Sequence, residues 1–497
     1  MDSKQSIIPA LILIMIFGFL PEIRAQNSGA FPRLTPDPKA LEYFRPQAAR
    51  NYTWRELAEI SLWASGDTSA SNLRQIENAV ILLNSSSALP YTPRERAEFI
   101  LSFLHSSILR TYSLYQTRVD TIFTNGRFNC VSSSVLYMIL CKSAGLNTSG
   151  VMTREHAFII VHIDGQDIDV ETTNRYGFDP GNRREFHDQF GRLTGFTYVP
   201  AQNYRDRQTI GQIELVSLIL NNRIAEHERA NRFADAVPLA VDRAALLYGS
   251  TLAVNEGSSL SSHIFDDPRN DLVDRLFNYG AYLLRSNREE EALGWAAAAG
   301  NSHNARWQEF ILAAVNNRVA RYARDRKLVN ARNFLEENRN HLTRENYAQI
   351  DAILTDAELL IGANGIRTAA DGESVIRLIE QTRENGRISA GRADELIVFS
   401  LLRTAFYLSS PPDRDWRAAI RYLESAPVRF AANREVEQAL DTYRGNLASD
   451  YHNRFAAEWN RRNYDEAQRI LNEALIEFPA NRQLLSDREI VNRHNSR

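Results

Sequence analysis

Cys130, His156 and Glu171 are the residues whose types and spacing could do chemistry in this chain. The cysteine sits in Asn129-Cys130-Val131-Ser132-Ser133-Ser134. His156-Ala157-Phe158 begins 26 residues later, and Glu171 follows 15 residues after the histidine. A thiol attacks a carbonyl only as the thiolate, so it needs a nearby imidazole and an electropositive setting. The imidazole needs a third group to fix its tautomer and orientation. Nucleophile, base and orienting acid stand here in chain order.

Competing residues carry less. Asp169 has the same facing parity as Glu171 on an expected strand, but lies further from His156, so it is the alternative acid if the register differs. His162 shares the parity of His156 and reads as a pairing or surface residue. His187 falls in a loop and carries little signal. Cys141 sits among Tyr137, Met138, Leu140 and Ala144 and reads as a buried, inert thiol. If both cysteines share a helix, their Cα atoms stand about 16 Å apart, too far for a disulfide. Ser132, Ser133 and Ser134 lack the flanking glycines of a nucleophile elbow and are expected to pack or cap a helix. The short paired His/Cys spacings of a zinc site are missing, and so is a Gly-rich phosphate loop, so neither a metal nor another cofactor is expected.

These side chains must be positioned by local elements. Asn125-Gly126 is a turn, and Cys130 to Ala144 reads as an apolar helix stopped by Gly145. Val151-Met152, the run Ala157 to Ile163 and the run Ile168 to Thr172 read as short strands. The last two are joined by the hairpin dipeptide Asp164-Gly165. Counting back from that turn sets His156 opposite Thr173, with Glu171 its diagonal neighbour. Upstream, Thr53-Trp54-Arg55-Glu56 and Thr92-Pro93-Arg94-Glu95 read as helix starts. Downstream of about residue 205 strand signals vanish and helix pairs recur, most clearly at Tyr464, Ala467, Leu471, Ala474 and Pro479.

The remaining properties bound the setting. The chain has 497 residues, 24 % of them charged, with a formal net charge of −3. No concentrated basic face is visible, which excludes a nucleic-acid partner. Lys4 precedes an almost unbroken apolar run from Ile7 to Leu20, ending near Ala25. This reads as a secretory signal, with an uncleaved N-terminal membrane anchor as the alternative. The expected location is therefore periplasmic or extracellular, and no integral membrane segment is expected beyond the signal. The expected division is signal 1–25, Pro-rich linker 26–38, a catalytic domain with a helical N-terminal part over 39–204, and helical repeats over 205–497.

The Asn129–Ser134 motif, Gly145, His156-Ala157-Phe158 and Val170-Glu171-Thr172-Thr173 together resemble the core of the transglutaminase-like superfamily, papain-like folds with a Cys-His-Asp triad. The chain departs from that pattern in having Glu171 where the family has Asp. The resemblance covers residues 90 to 200. Because bacterial members often carry tetratricopeptide repeats, it extends to the C-terminus. It implies an α+β papain/transglutaminase-like domain followed by an all-α tetratricopeptide-like helical repeat array, with Cys130 as nucleophile, His156 as general base and acid, and Glu171 as orienting acid. The function expected is an exported cysteine-dependent acyl-transfer enzyme, a peptidase, amidase or transglutaminase-like protein, acting on a protein or peptide and recruiting a protein partner through its repeats. The alternative is an inactive scaffold whose repeats mediate protein assembly.

Overall fold

The computed structural model describes residues 31–154, 156–181, 207–249, 268–299, 305–412 and 414–495. The expected signal segment, the first part of the linker, and His187 lie outside the described residues.

Helix dominates. Of the described residues 70 % are helical, in nineteen α-helices and a few 3-10 turns. Strands make up 6 %, and the longest has seven residues. The expected fold class is corrected by this: the chain is a mostly helical protein carrying a small sheet, not an α+β papain-like domain followed by a repeat array. The strand signals between residues 147 and 170 are real but local: they form a small antiparallel sheet beside the helices. The expected repeat array fails on regularity. Consecutive helices of the C-terminal half range from nine residues (Trp416–Glu424) to 27 (Arg434–Asn460), so no unit of constant length recurs.

The chain forms two compact units, residues 1–287 and, apart from a short exchange near residue 297, residues 288–497. The first unit contains α1 (Pro38–Tyr43), α2 (Trp54–Ser65), α3 (Ala70–Asn84), α4 (Pro93–Ser107), β1 (Thr111–Tyr112), α5 (Asp120–Asn125), β2 (Arg127–Phe128), α6 (Cys130–Ser143), β3 (Asn147–Met152), β4 (Ala157–Ile163), β5 (Gln166–Val170), β6 (Gln208–Ile210), α7 (Gln212–Arg229), α8 (Phe233–Tyr248) and α9 (Pro268–Arg285). The order of the larger sheet is β5-β4-β3-β6, antiparallel throughout, while β1 and β2 form a separate parallel pair. No described helix is long and apolar enough to cross a membrane.

Helix α6 is the axis of the first unit. Every residue from Cys130 to Cys141 is buried, because α2, α3, α4, α7 and the sheet all pack on it. Such a helix must be apolar on all sides. Val135, Leu136, Met138, Ile139 and Leu140 are all fully buried, and each adds roughly 1.5–3 kcal/mol of burial free energy. Tyr137 is tolerated in this interior because its hydroxyl donates to the Ala97 carbonyl at 3.0 Å. Helix α7 reaches the sheet at Gly150 of β3, where a Cβ would come within 2.9 Å of Ile210 and 3.1 Å of Leu215. Only glycine permits that approach.

In the second unit, from the helix Ala305–Arg324 onward, each described helix packs on its neighbours in sequence. Its described apolar clusters include one around Leu396, Ile397 and Leu401 and another around Tyr451, Ile470 and Leu471.

Candidate active site

Asn129 builds the first part of the site. Its side-chain oxygen accepts the amides of Val131 and Ser132, each at 3.0 Å, and its own amide donates to Ser132 Oγ at 3.0 Å. The Ser133 amide continues on to the Asn129 carbonyl. These bonds satisfy the second to fourth amides of α6. The Cys130 amide, the first of the helix, has no partner among the described residues. Cys130 therefore starts the helix with its sulfur at the positive end of the dipole and an N–H available to an incoming oxygen. The thiol is 7 % exposed and unbridged.

The turn between β3 and β4 places the histidine. The Thr153 amide donates to the His156 carbonyl at 2.8 Å, and the His156 amide donates to Thr153 Oγ1 at 3.2 Å. Phe158 stacks against the ring, with centroids 6.2 Å apart. The imidazole Nε2 meets Glu171 Oε2 at 2.6 Å, and the Cys130 sulfur lies close enough to act on the ring electrostatically. With Nε2 taken by the carboxylate, Nδ1 is the nitrogen left to serve the thiol. Burial opposes charge on this ring. The Glu171 carboxylate first, then the Cys130 sulfur, outweigh it and hold His156 well above its ordinary pKa. The arrangement favours a protonated imidazole between the sulfur and the acid.

Glu171 is 2 % exposed and fully used. Its second oxygen, Oε1, accepts from Thr173 Oγ1 at 2.7 Å and from the Thr173 amide at 3.2 Å. The Glu171 amide donates to the Gly177 carbonyl at 2.8 Å. A Cβ at Gly177 would collide with the Glu171 carbonyl, so the return of the chain over the acid requires glycine. One residue on, the Thr172 hydroxyl lies 2.8 Å from both Ser133 and Ser134 Oγ, pinning the strand end to α6. The three serines thus cap and pack, as expected.

The structure brings Cys130, His156 and Glu171 together and leaves Asp169 out. Asp169 is held by a two-pronged ion pair with Arg207, at 2.5 and 2.7 Å. The β4–β5 register pairs Ile163 with Gln166 and Ile160 with Asp169; continued, this count sets 156 opposite 173. Cys141 is fully buried, and burial pushes its thiol far above the ordinary value.

His162 stands in a second hydrogen-bonded line. Ser149 Oγ lies 2.8 Å from its Nε2, and Asp167 Oδ1 2.7 Å from its Nδ1. The residue types are those of a serine hydrolase, but Ser149 is mid-strand, its backbone engaged in the β3–β4 ladder, and Asp167 is exposed. A serine held mid-strand with an exposed acid partner makes the line a cross-strand network rather than a catalytic one.

Two supporting residues escaped sequence analysis. His105 of α4 meets the Thr172 carbonyl through Nε2 at 3.0 Å, and burial pushes its pKa down to about 4, so it stays neutral. Tyr112 stands near Cys130 and Glu171; burial first, then those two charges, raise its phenol and keep it protonated. Neither has a local sequence signal, because both act across long stretches of chain.

A cavity of 560 Å³ opens over the thiol. Cys130 and His156 lie in its lining with Leu114, Tyr115, Met152 and Arg154, and α7 supplies Leu218, Asn221, Asn222, Ala225 and Arg229. Among the described residues no cluster of three or more His, Cys, Asp or Glu could hold a metal ion.

No family model matches the chain, and no curated protein matches it. Among solved structures, the chain is similar to menin, in a crystal structure that reveals its binding site for Mixed Lineage Leukemia protein. The identity is 14 %, the match covers 84 % of this chain and 93 % of that chain, and the TM-score is 0.32, a likeness too loose to bear on the site. The resemblance to the transglutaminase-like superfamily is corrected accordingly: the backbone is predominantly helical and no family model supports the membership.

Proposed function

We propose that this protein is a cysteine-dependent acyl-transfer enzyme that cleaves a peptide or amide bond. The observation carrying the proposal is the buried chain Cys130–His156–Glu171 opening on a cavity large enough for several residues of substrate. In the reaction, the Cys130 thiolate adds to the carbonyl carbon, and the oxyanion that forms takes the Cys130 amide. His156 gives its Nδ1 proton to the leaving amine, leaving a thioester. The neutral imidazole then takes a proton from water, or from a second amine, which displaces the sulfur. Glu171 holds the ring throughout and stabilises its charged form. The apolar run Ile7–Leu20 favours action after export, in the periplasm or outside the cell. The helical second unit recruits a protein partner; a groove of 780 Å³ lined by Arg417, Ile420, Ile476 and Phe478 supports that role.

The same groove favours the other reading, a scaffold without catalysis, and one assay separates the two. Iodoacetamide should alkylate Cys130 at neutral pH far faster than Cys141 in the folded protein, and His156→Ala should slow it. Equal, slow labelling of both cysteines would leave only the scaffold.

A further inference from the structure

We infer that the cavity over Cys130 selects a substrate carrying a carboxylate, recognised by Arg229 and Arg154, both of which line it. The inference rests on the acyl-transfer reading and adds the substrate class. Leu218, the adjacent pair Asn221 and Asn222, Ala225 and Arg229 recur at helical intervals of three and four, so one face of α7 forms a wall. From Leu218 to Arg229 that wall runs about 16 Å, the length of roughly five extended residues. It begins apolar, passes through two amides and ends in a cation. Arg154, in the β3–β4 turn, is the second cation in the lining, and the described lining contains no carboxylate.

Among the described residues neither guanidinium has an ion pair, whereas the neighbouring Arg232 pairs with Asp235 and Arg275 with Glu228. Arg229 has no ion pair among the described residues; its guanidinium lies over the Tyr115 ring, 4.6 Å from the centroid. Stacking fixes the plane and leaves the N–H edge for a planar acceptor, the geometry that suits a carboxylate. A cation in the last turn also favours the helix dipole. That role needs no place in a cavity wall, no aromatic platform and no second arginine in the same lining.

The test uses the full chain and four blocked hexapeptides that differ in one position: Glu, Gln or Lys in peptides with an amidated C-terminus, and Gln with a free C-terminal carboxylate. All four are titrated against Cys130→Ser protein by calorimetry, and the Glu, Gln and Lys peptides are also made with a chloromethyl ketone in place of the C-terminal amide, for labelling Cys130 in the unaltered protein. The Glu peptide or the free-carboxylate peptide should bind about tenfold better than the amidated Gln peptide, with the Lys peptide worse than both, and the labelling rates should follow the order Glu, Gln, Lys when the side chain is the carboxylate recognised. Which of the two acidic peptides leads identifies the carboxylate as side chain or terminus. Arg229→Gln should bring the ratio near one, Arg229→Glu should turn the preference toward Lys, and 0.5 M salt should flatten the difference in the unaltered protein. Equal binding of all four peptides, a Lys preference, or no binding would overturn the inference. Failure of the acyl-transfer reading is seen separately, as slow alkylation of Cys130 by uncharged iodoacetamide, because the binding arm does not require a reactive sulfur.

Discussion

Replacing Glu171 by Gln should disable Cys130 through the histidine tautomer while leaving the fold in place. Thr173 donates two hydrogen bonds to Oε1 of the acid. A glutamine must therefore keep its carbonyl oxygen at that position, which turns its NH₂ group toward His156. A donor now faces Nε2, so Nε2 must accept, and the ring proton moves to Nδ1, facing the sulfur. An imidazole with its proton already on that side cannot take one from the thiol. The charge is lost as well: a hydrogen bond to a charged group contributes roughly 1.5–3 kcal/mol, which at about 1.4 kcal/mol per tenfold slows thiolate chemistry by about 10- to 150-fold. The tautomer effect adds to this, so the range is a lower bound. The assay is the second-order rate of iodoacetamide alkylation at Cys130 from pH 5 to 9, read by mass spectrometry with Cys141 as internal reference. Asp169→Asn is the paired control, since that acid is held by Arg207 away from the ring, and it should alkylate within twofold of the unaltered protein. A Glu171→Gln rate within twofold of the unaltered protein across the pH range would refute the reasoning.

Two further outcomes concern stability. His105 is neutral in the fold, with its pKa pushed down to about 4 by burial, whereas the unfolded chain takes up a proton near 6.5. Its contribution is present above pH 6.5 and is lost as pH falls toward 4. The stability advantage over His105→Phe should therefore shrink by about 2–3 kcal/mol between pH 7 and 4.5, and a constant difference in denaturant titrations would contradict the assignment. In the second unit, a Cβ at Gly372 would strike Thr404 Oγ1 and come within 2.8 Å of the Tyr422 hydroxyl. Gly372→Ala should cost about 1–3 kcal/mol from overpacking, more than the roughly 1 kcal/mol that alanine adds to helix propensity. A raised melting temperature would show that the two helices can move apart freely.

What the sequence revealed and what it hid follow from the range of the interactions. The Thr53–Glu56 capping box, the start of α6 at Cys130 and the hairpin at Asp164-Gly165 depend on residues a few positions apart, and all three are present. The register follows from the turn, so the diagonal placement of Glu171 against His156 could be counted from local signals alone. His105 could not be found, because the Thr172 carbonyl it meets is 67 positions away. The same holds for the engagement of Asp169 by Arg207, 38 positions on, and for the α7 wall, whose facing toward Cys130 depends on packing at Gly150. The overall architecture is hidden in the sequence for a related cause. Six short strands produce strong local signals around the motif, while the surrounding helices, with their irregular lengths, give no period that distinguishes one arrangement of helices from another.

The separation of the two cysteines has a consequence for oxidation. Cys130 and Cys141 share one rigid helix about 16 Å apart, and the chain contains no third thiol. A sulfenic acid formed at Cys130 therefore has no internal partner with which to condense, and its rescue depends on a small thiol diffusing in through the cavity. In an oxidising compartment the working life of such a protein would be set by the supply of external reductant rather than by the stability of its fold.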